Sequence, residues 1–310
     1  MTYSFYIIVL MLLGIPLLAY YPVSRWQVPR CLLWVIAAGV FFGVEQWHSA
    51  SHPMIRMVLL CGAMLVLMKV IVYAEWRRQT RGRLPMHRWV LFSLLWAGMN
   101  PGAFQGDRRE IRWRFDFYAG LGYLLAGLGS CVLLAYLEVY VLVAMFIGLS
   151  LSFHFGVLRI TTSFWRFVGF PVRPLFRNPL ASRDVSDFWS TRWNISFSQM
   201  IARTVRRPLI GFLGTRGSMF AVFLVSGIFH ELVITVPVKG GYGMPTLYFL
   251  IHGIAVVTEK DTWPDWVKKL MALFLVVIPL PLLFPEKFTQ EIIMPCLTFT
   301  AGVMTQVIHQ

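Results

Sequence analysis

The chain has 310 residues, of which 57% are hydrophobic and 14% charged, and a formal net charge of +14; its mean hydropathy is +0.66. A soluble domain carries about 25% charged residues, so this composition excludes one and points to a polytopic membrane protein. The positive charge is mostly arginine scattered between apolar runs rather than gathered in a separate basic module, which argues against nucleic acid as a partner.

Apolar runs fall near 4–21, 30–45, 55–74, 89–99, 118–136, 139–158, 218–238, 244–259, 268–285 and 290–308. Crossing a bilayer takes about 20 residues, so an all-α bundle of about eight transmembrane spans is expected, in one integral membrane domain covering 1–310. The first run lacks a basic leading segment and a small-residue cleavage site, so it reads as a membrane helix rather than a signal peptide. Tyr20, Tyr21, Trp26, Trp76 and Trp89 lie near proposed ends, as an aromatic belt would. His48 and His52 are four apart, but no third ligand is close, so no metal is expected. Cys31, Cys61, Cys131 and Cys296 have no C-x-x-C spacing, which argues against disulfides and zinc. The 89–99 run is short enough to be re-entrant or interfacial. Gly120, Gly122, Gly127 and Gly129 read as close helix packing, and Glu138 as a helix-end or interhelix hydrogen-bonding group. His154 has no assigned role.

Arginines cluster at 77–88, at 108–114 and again from Arg159 to Arg216, which makes those loops cytoplasmic by the positive-inside rule. The stretch 159–217 is too polar to span the bilayer. Pro171, Pro174 and Pro179 disfavour helix at its start. From Asp184, a capping residue, the pattern turns helical. Trp189, Trp193, Phe197, Met200 and Thr204 form one face and Arg192, Gln199, Arg203 and Arg206 another. That predicts an amphipathic helix near 184–206 at the cytoplasmic membrane surface.

The next run, 219–236, carries His230 and Glu231 at its centre. A charge there costs roughly 2.5–3.5 kcal/mol on the insertion scale, so such residues usually face a polar cavity and have a function. His252 and Glu259, seven apart in the following run, share a helical face; a structural role and a tunnel-lining role are both open for them.

Four ordered segments carry a family resemblance: Trp96-Ala-Gly-Met-Asn-Pro101, Asp187-Phe-Trp-Ser-Thr-Arg-Trp-Asn194, Ser226-Gly-Ile-Phe-His-Glu231 and Tyr248-Phe-Leu-Ile-His-Gly-Ile-Ala-Val-Val-Thr-Glu259. Together, over 96–259, they resemble the wax-synthase branch of the membrane-bound O-acyltransferase superfamily. Ser190-Thr191 departs from it, since plant members usually show Gly-Arg there; an effect on helix packing or headgroup contacts is expected rather than on the reaction. The resemblance implies acyl transfer from acyl-CoA, a co-substrate rather than a bound cofactor, to a lipophilic alcohol: a long-chain fatty alcohol, a sterol or an isoprenoid alcohol. It puts catalysis at His230 and Asn194, with Glu231, Ser226, Asp187 and Trp193 in support. The host membrane stays open between the bacterial inner membrane and the endoplasmic reticulum, with the short loops and compact length leaning slightly to the bacterial one.

The residue types suit that chemistry. Histidine can take the proton of an attacking alcohol near neutral pH. Asparagine offers both a donor and an acceptor, for the acceptor hydroxyl or for the thioester carbonyl. Glu231 is about 100° round the helix from His230 and so supports it from another face. Ser226, one turn earlier, is placed to hydrogen-bond His230. For the phosphates of CoA the candidates are Arg183, Arg192, Arg203, Arg206 and Arg207, with Trp189 or Trp193 stacking on adenine. Three rival readings remain: an O-acetyltransferase of a glycan or secondary metabolite, a transporter using His230, Glu231, His252 and Glu259 as a proton relay, and a catalytically idle scaffold of the same fold. A transporter would predict repeat symmetry, and the sequence shows none.

Overall fold

The computed structural model describes residues 2–107, 109–136, 147–260 and 262–296, with helices and no strand among them. Glu138 and parts of the 139–158 and 290–308 runs lie outside the described residues. Among the described residues four helical stretches are long and apolar enough to cross a membrane: Tyr6–Arg25, Arg30–Trp47, Pro53–Thr80 and Ile195–Val238. The expected all-helical class is present. The expected span count of about eight is not confirmed by the described residues, where several apolar runs fold as shorter helices. Met244–Thr258 has 15 residues, and Asp265–Val277 has 13 and stops just before Pro279.

Pro53–Thr80 is the centre of the bundle, with 67% of its apolar window buried. Helices Thr2–Arg25 and Arg30–Trp47 both pack on it. The polar groups of this central helix tie its neighbours together. Lys69 is fully buried and donates to the carbonyls of Phe92 (3.0 Å), Trp96 (2.7 Å) and Gly98. Those carbonyls are available because the chain leaves helical form there: Leu91–Leu95 is a π turn and Trp96 is extended. Arg56 pairs with Glu45 and donates to Val236 O at 2.8 Å, and Glu75 accepts from Arg30 at 2.9 Å and from Arg78. A buried cation is tolerable only with such partners.

Two of the four glycines expected at a helix contact are there. A Cβ on Gly127 would lie 2.6 Å from Gly148 O, and one on Gly120 would lie 3.1 Å from Gly156 O, so the helix Arg114–Tyr136 meets its neighbour backbone to backbone. Gly122 and Gly129 face open space instead.

The amphipathic helix expected over 184–206 is not continuous. A short helix, Val185–Asp187, passes into a π turn, Phe188–Arg192; Trp193 is then extended and Asn194 left-handed (φ 42°). Helix resumes at Ile195–Ile201, passes through a second π turn, Ala202–Arg206, and runs on into Arg207–His230, kinked at Gly214. The break has a tertiary cause. Residues 175–177 run alongside 192–195, with Ile195 N donating to Leu175 O (2.8 Å) and Arg177 N to Arg192 O (2.9 Å). These bonds replace the helical partners that Arg192 and Ile195 would otherwise use.

Candidate active site

The first half of the site grows out of that break. Asp184 caps the short helix as expected, its carboxylate accepting from Asp187 N at 2.6 Å. Asp187, 6% exposed, accepts from Arg183 N (3.1 Å), Arg192 Nε (2.8 Å) and the Thr191 hydroxyl. Burial alone would push its carboxyl up, but the hydrogen bonds from Thr191 and Arg192, with the Arg192 charge, outweigh it and hold the carboxyl down at about 2. Asp187 is therefore a permanent anion that fastens the π turn, which closes through Trp193 N to Phe188 O at 2.8 Å.

Asn194 follows in the left-handed region, where asparagine is among the few tolerated side chains. Its Oδ1 accepts from Phe197 N at 3.2 Å and starts the next helix. This cap occupies the amide oxygen and leaves Nδ2, a pure donor, as the group available to a ligand. From below, Ser196 Oγ reaches Ala97 O at 3.2 Å, so the Trp96–Pro101 segment supports the Asn194 turn rather than entering the site.

The second half lies at the end of the helix Arg207–His230, immediately before the π turn Glu231–Thr235. π turns inside helices recur at functional sites, and here one precedes Asn194 and one follows His230. His230 Nδ1 is 2.7 Å from Ser226 O. A carbonyl only accepts, so Nδ1 carries the proton and Nε2 keeps its lone pair. The ring lies against Phe249, with centroids 4.3 Å apart.

His230 and Asn194 line one cavity of about 140 Å³. Its walls are mainly apolar, with Trp189, Trp193, Phe197 and Phe249 prominent, and Ser226 and Arg206 are among its polar residues. Behind His230 the helices Arg207–His230 and Met244–Thr258 pack closely. A Cβ on Gly227 would lie 2.7 Å from Thr246 Cα, so only glycine allows this approach.

The approach also explains Glu231. Its carboxylate accepts from Thr246 N (3.0 Å), Thr246 Oγ1 (2.9 Å) and Thr235 Oγ1 (2.6 Å). Thr246 N is one of the free amides in the first turn of Met244–Thr258, where a negative charge is favoured. Glu231 thus clamps two helices and does not line the cavity. Thr246 was not legible as its partner from spacing; the available signal was Pro245, which marks a helix start whose amides need an acceptor.

Ser226 departs from expectation. Its hydroxyl donates to Val222 O at 2.7 Å, and it is the Ser226 carbonyl that meets His230. Trp193 lies nearly parallel to Phe188 (centroids 5.7 Å apart, 12° between planes) and lines the cavity. Trp189 lines it too, packing against Phe188 and Phe249 and also against Tyr248 and His252. His252 is fully buried with Nδ1 2.8 Å from Tyr248 O, behind Trp189 rather than in the cavity wall. Glu259, the residue after Met244–Thr258, is not in the wall either. Of the four groups considered for a proton relay, His230 alone reaches the cavity. Among the arginines, Arg183 and Arg192 are held by Asp187, Arg203 and Arg207 are not in the wall, and Arg206 is.

Comparison with known proteins fits this geometry. The profile of the membrane bound O-acyl transferase family matches residues 172–251. That segment holds every residue lining the cavity except Val256. Over that segment the chain is similar to the membrane bound O-acyl transferase family.

The relatives that the chain matches are plant acyltransferases. The chain is 36% identical over 101 residues to the probable long-chain-alcohol O-fatty-acyltransferase 1 of Arabidopsis thaliana, covering 30% of each protein. To the probable long-chain-alcohol O-fatty-acyltransferase 2 of the same plant it is 27% identical over 185 residues, 56% of this chain and 47% of the relative. To its acyl-CoA–sterol O-acyltransferase 1 it is 31% identical over 134 residues, 37% of this chain and 39% of the relative. The matched segments thus span between about a third and a half of these relatives. Within the matched segment, Ser190-Thr191 acquires a role for each residue. Thr191 ties the turn to Asp187, and Ser190 lines the cavity, so the departure at Ser190 faces the site itself.

Proposed function

We propose that this integral membrane protein is an acyl-CoA-dependent O-acyltransferase that esterifies a lipophilic alcohol. The observation that supports it is the pairing of complementary groups in one apolar cavity: a histidine with a bare Nε2 and an asparagine whose only uncommitted group is a donor. The alcohol oxygen attacks the thioester carbonyl as His230 Nε2 takes its proton, forming the C–O bond. Asn194 Nδ2 donates to the carbonyl oxygen as negative charge develops on it. The C–S bond then breaks, the thiolate takes the proton from the imidazolium, and ester and CoA thiol leave. No acyl-enzyme and no metal enter this sequence of steps. CoA approaches from the arginine-rich cytoplasmic side and the alcohol from the bilayer, in a bacterial inner membrane or the endoplasmic reticulum.

Fatty alcohols and sterols head the candidate acceptors, because the relatives bear the names of enzymes for those alcohols. A second reading, transfer of a short acyl group such as acetyl, draws support from the cavity volume of about 140 Å³. That is well below the roughly 300–1,000 Å³ of pockets that enclose a drug-sized ligand, so long chains must extend beyond it. Membranes containing the protein, given labelled acyl-CoA of graded chain length and a panel of lipid alcohols, test both readings. Ester formation that falls by about 10²-fold or more in His230→Ala supports the mechanism; ester formation unchanged by that substitution overturns it. A preference for acetyl-CoA over long-chain acyl-CoA selects the second reading.

A further inference from the structure

A second concavity, a cleft of about 780 Å³, is walled by Arg159, Arg166, Arg173, Arg177 and Arg192, with Asp116 the only carboxylate in its lining. None of these arginines belongs to the four long apolar helices. Their charges are incompletely answered. Arg159 (3.0 Å) and Arg166 share the single carboxylate of Asp116, and Arg192 pairs with Asp187 at 2.8 Å. Arg173 and Arg177 have no acidic partner among the described residues and are exposed. Five guanidiniums therefore face two carboxylates. Like charges converging in a concave site raise its potential and favour a multivalent anion, and guanidinium forks match phosphate oxygens in pairs.

The cleft adjoins the reaction cavity through one turn of chain. In the segment 189–193, Thr191 and Arg192 line the cleft, while Trp189, Ser190 and Trp193 line the cavity. A molecule with phosphates at one end and a reactive group at the other could hold both sides of that turn. We infer that the arginine cleft is a binding site for a phosphate-bearing head group, recognised chiefly through Arg173 and Arg177. Two sources share this chemistry. One is the nucleotide end of CoA, an assignment that rests on the acyl-transfer reading above; the other is the head group of an anionic phospholipid.

The test uses the double variant Arg173→Ser/Arg177→Ser, which removes no ion pair and so leaves the fold in place; its unfolding midpoint should equal that of the wild type. Both proteins are reconstituted in phosphatidylcholine nanodiscs. Binding of free labelled CoA is measured without turnover, so a protein that makes no ester can still be scored. Turnover of an acyl-pantetheine, which has the thioester arm without the nucleotide phosphates, is measured beside it. Loss of two charge-assisted contacts should weaken CoA binding by about ten- to a hundredfold and leave acyl-pantetheine turnover unchanged. That result assigns the nucleotide end. In a second arm, nanodiscs containing phosphatidylglycerol are used; if the variant loses association with that lipid while CoA binding holds, the source is the phospholipid. If neither CoA binding nor phosphatidylglycerol association changes, the site is overturned. An equal loss with CoA and acyl-pantetheine overturns it as well, because the effect would then lie in the shared thioester arm.

Discussion

Asn194 combines a structural and a chemical role in one side chain, and Asn194→Asp separates them. The introduced carboxylate keeps an oxygen for Phe197 N, replacing the 3.2 Å cap, and aspartate tolerates the left-handed backbone at φ 42° nearly as well as asparagine. Stability should hold. The substitution deletes the Nδ2–H donor and sets an anion where negative charge develops on the thioester oxygen. Loss of one such donor costs about 10²–10³ in kcat, or roughly 2.7–4 kcal/mol. Asn194→Ala makes a different prediction. It loses the cap, at about 1 kcal/mol, and holds a side chain with no local hydrogen bond in the left-handed region, at roughly another 1–2 kcal/mol, so its unfolding midpoint falls together with its activity. The assay is ester formation at saturating acyl-CoA and alcohol, at about pH 8 so that the new carboxyl carries no proton to donate, with thermal unfolding in the same detergent. Asn194→Asp with an unchanged midpoint and a kcat within about threefold of wild type would refute the donor role.

Two further predictions concern the supports of the site. Glu231→Gln keeps an acceptor for Thr246 N and should retain activity within about tenfold, whereas Glu231→Ala strands that amide and should lower stability by about 1–3 kcal/mol. A Glu231→Gln enzyme as inactive as His230→Ala, with an unchanged midpoint, would place Glu231 in the chemistry instead. Asp187, held at about 2 against an ordinary 3.8, contributes stability that is complete above the ordinary value and lost as pH falls towards 2, roughly 2–3 kcal/mol in all. The midpoint difference between wild type and Asp187→Asn should therefore be large at neutral pH and shrink near about pH 2.5; a difference independent of pH would count against the assignment.

The sequence by itself determined the helical, membrane-embedded class, because long apolar runs have no other stable form in lipid. It also singled out His230, since an ionisable group inside an apolar run is costly and stands out against it, while Asn194 was singled out only by the family resemblance of its segment. It did not determine what those side chains do with their polar atoms. The 3.6-residue pattern of Trp189, Trp193, Phe197 and Met200 runs unbroken through Asn194, so periodicity predicts helix where the chain turns. Only the pairing of 175–177 with 192–195 breaks it. Likewise, sequence neighbours made Glu231 look like the companion of His230, while the contact at Gly227 gives it to Thr246. The arginine cleft has the same origin. Its members span Arg159 to Arg192, read as topology signals one by one, and become a site only where the fold brings them around one space. Helix and span are governed by local composition, but each of these three arrangements depends on segments distant in sequence meeting at hydrogen-bond range. Local periodicity carries no record of such meetings.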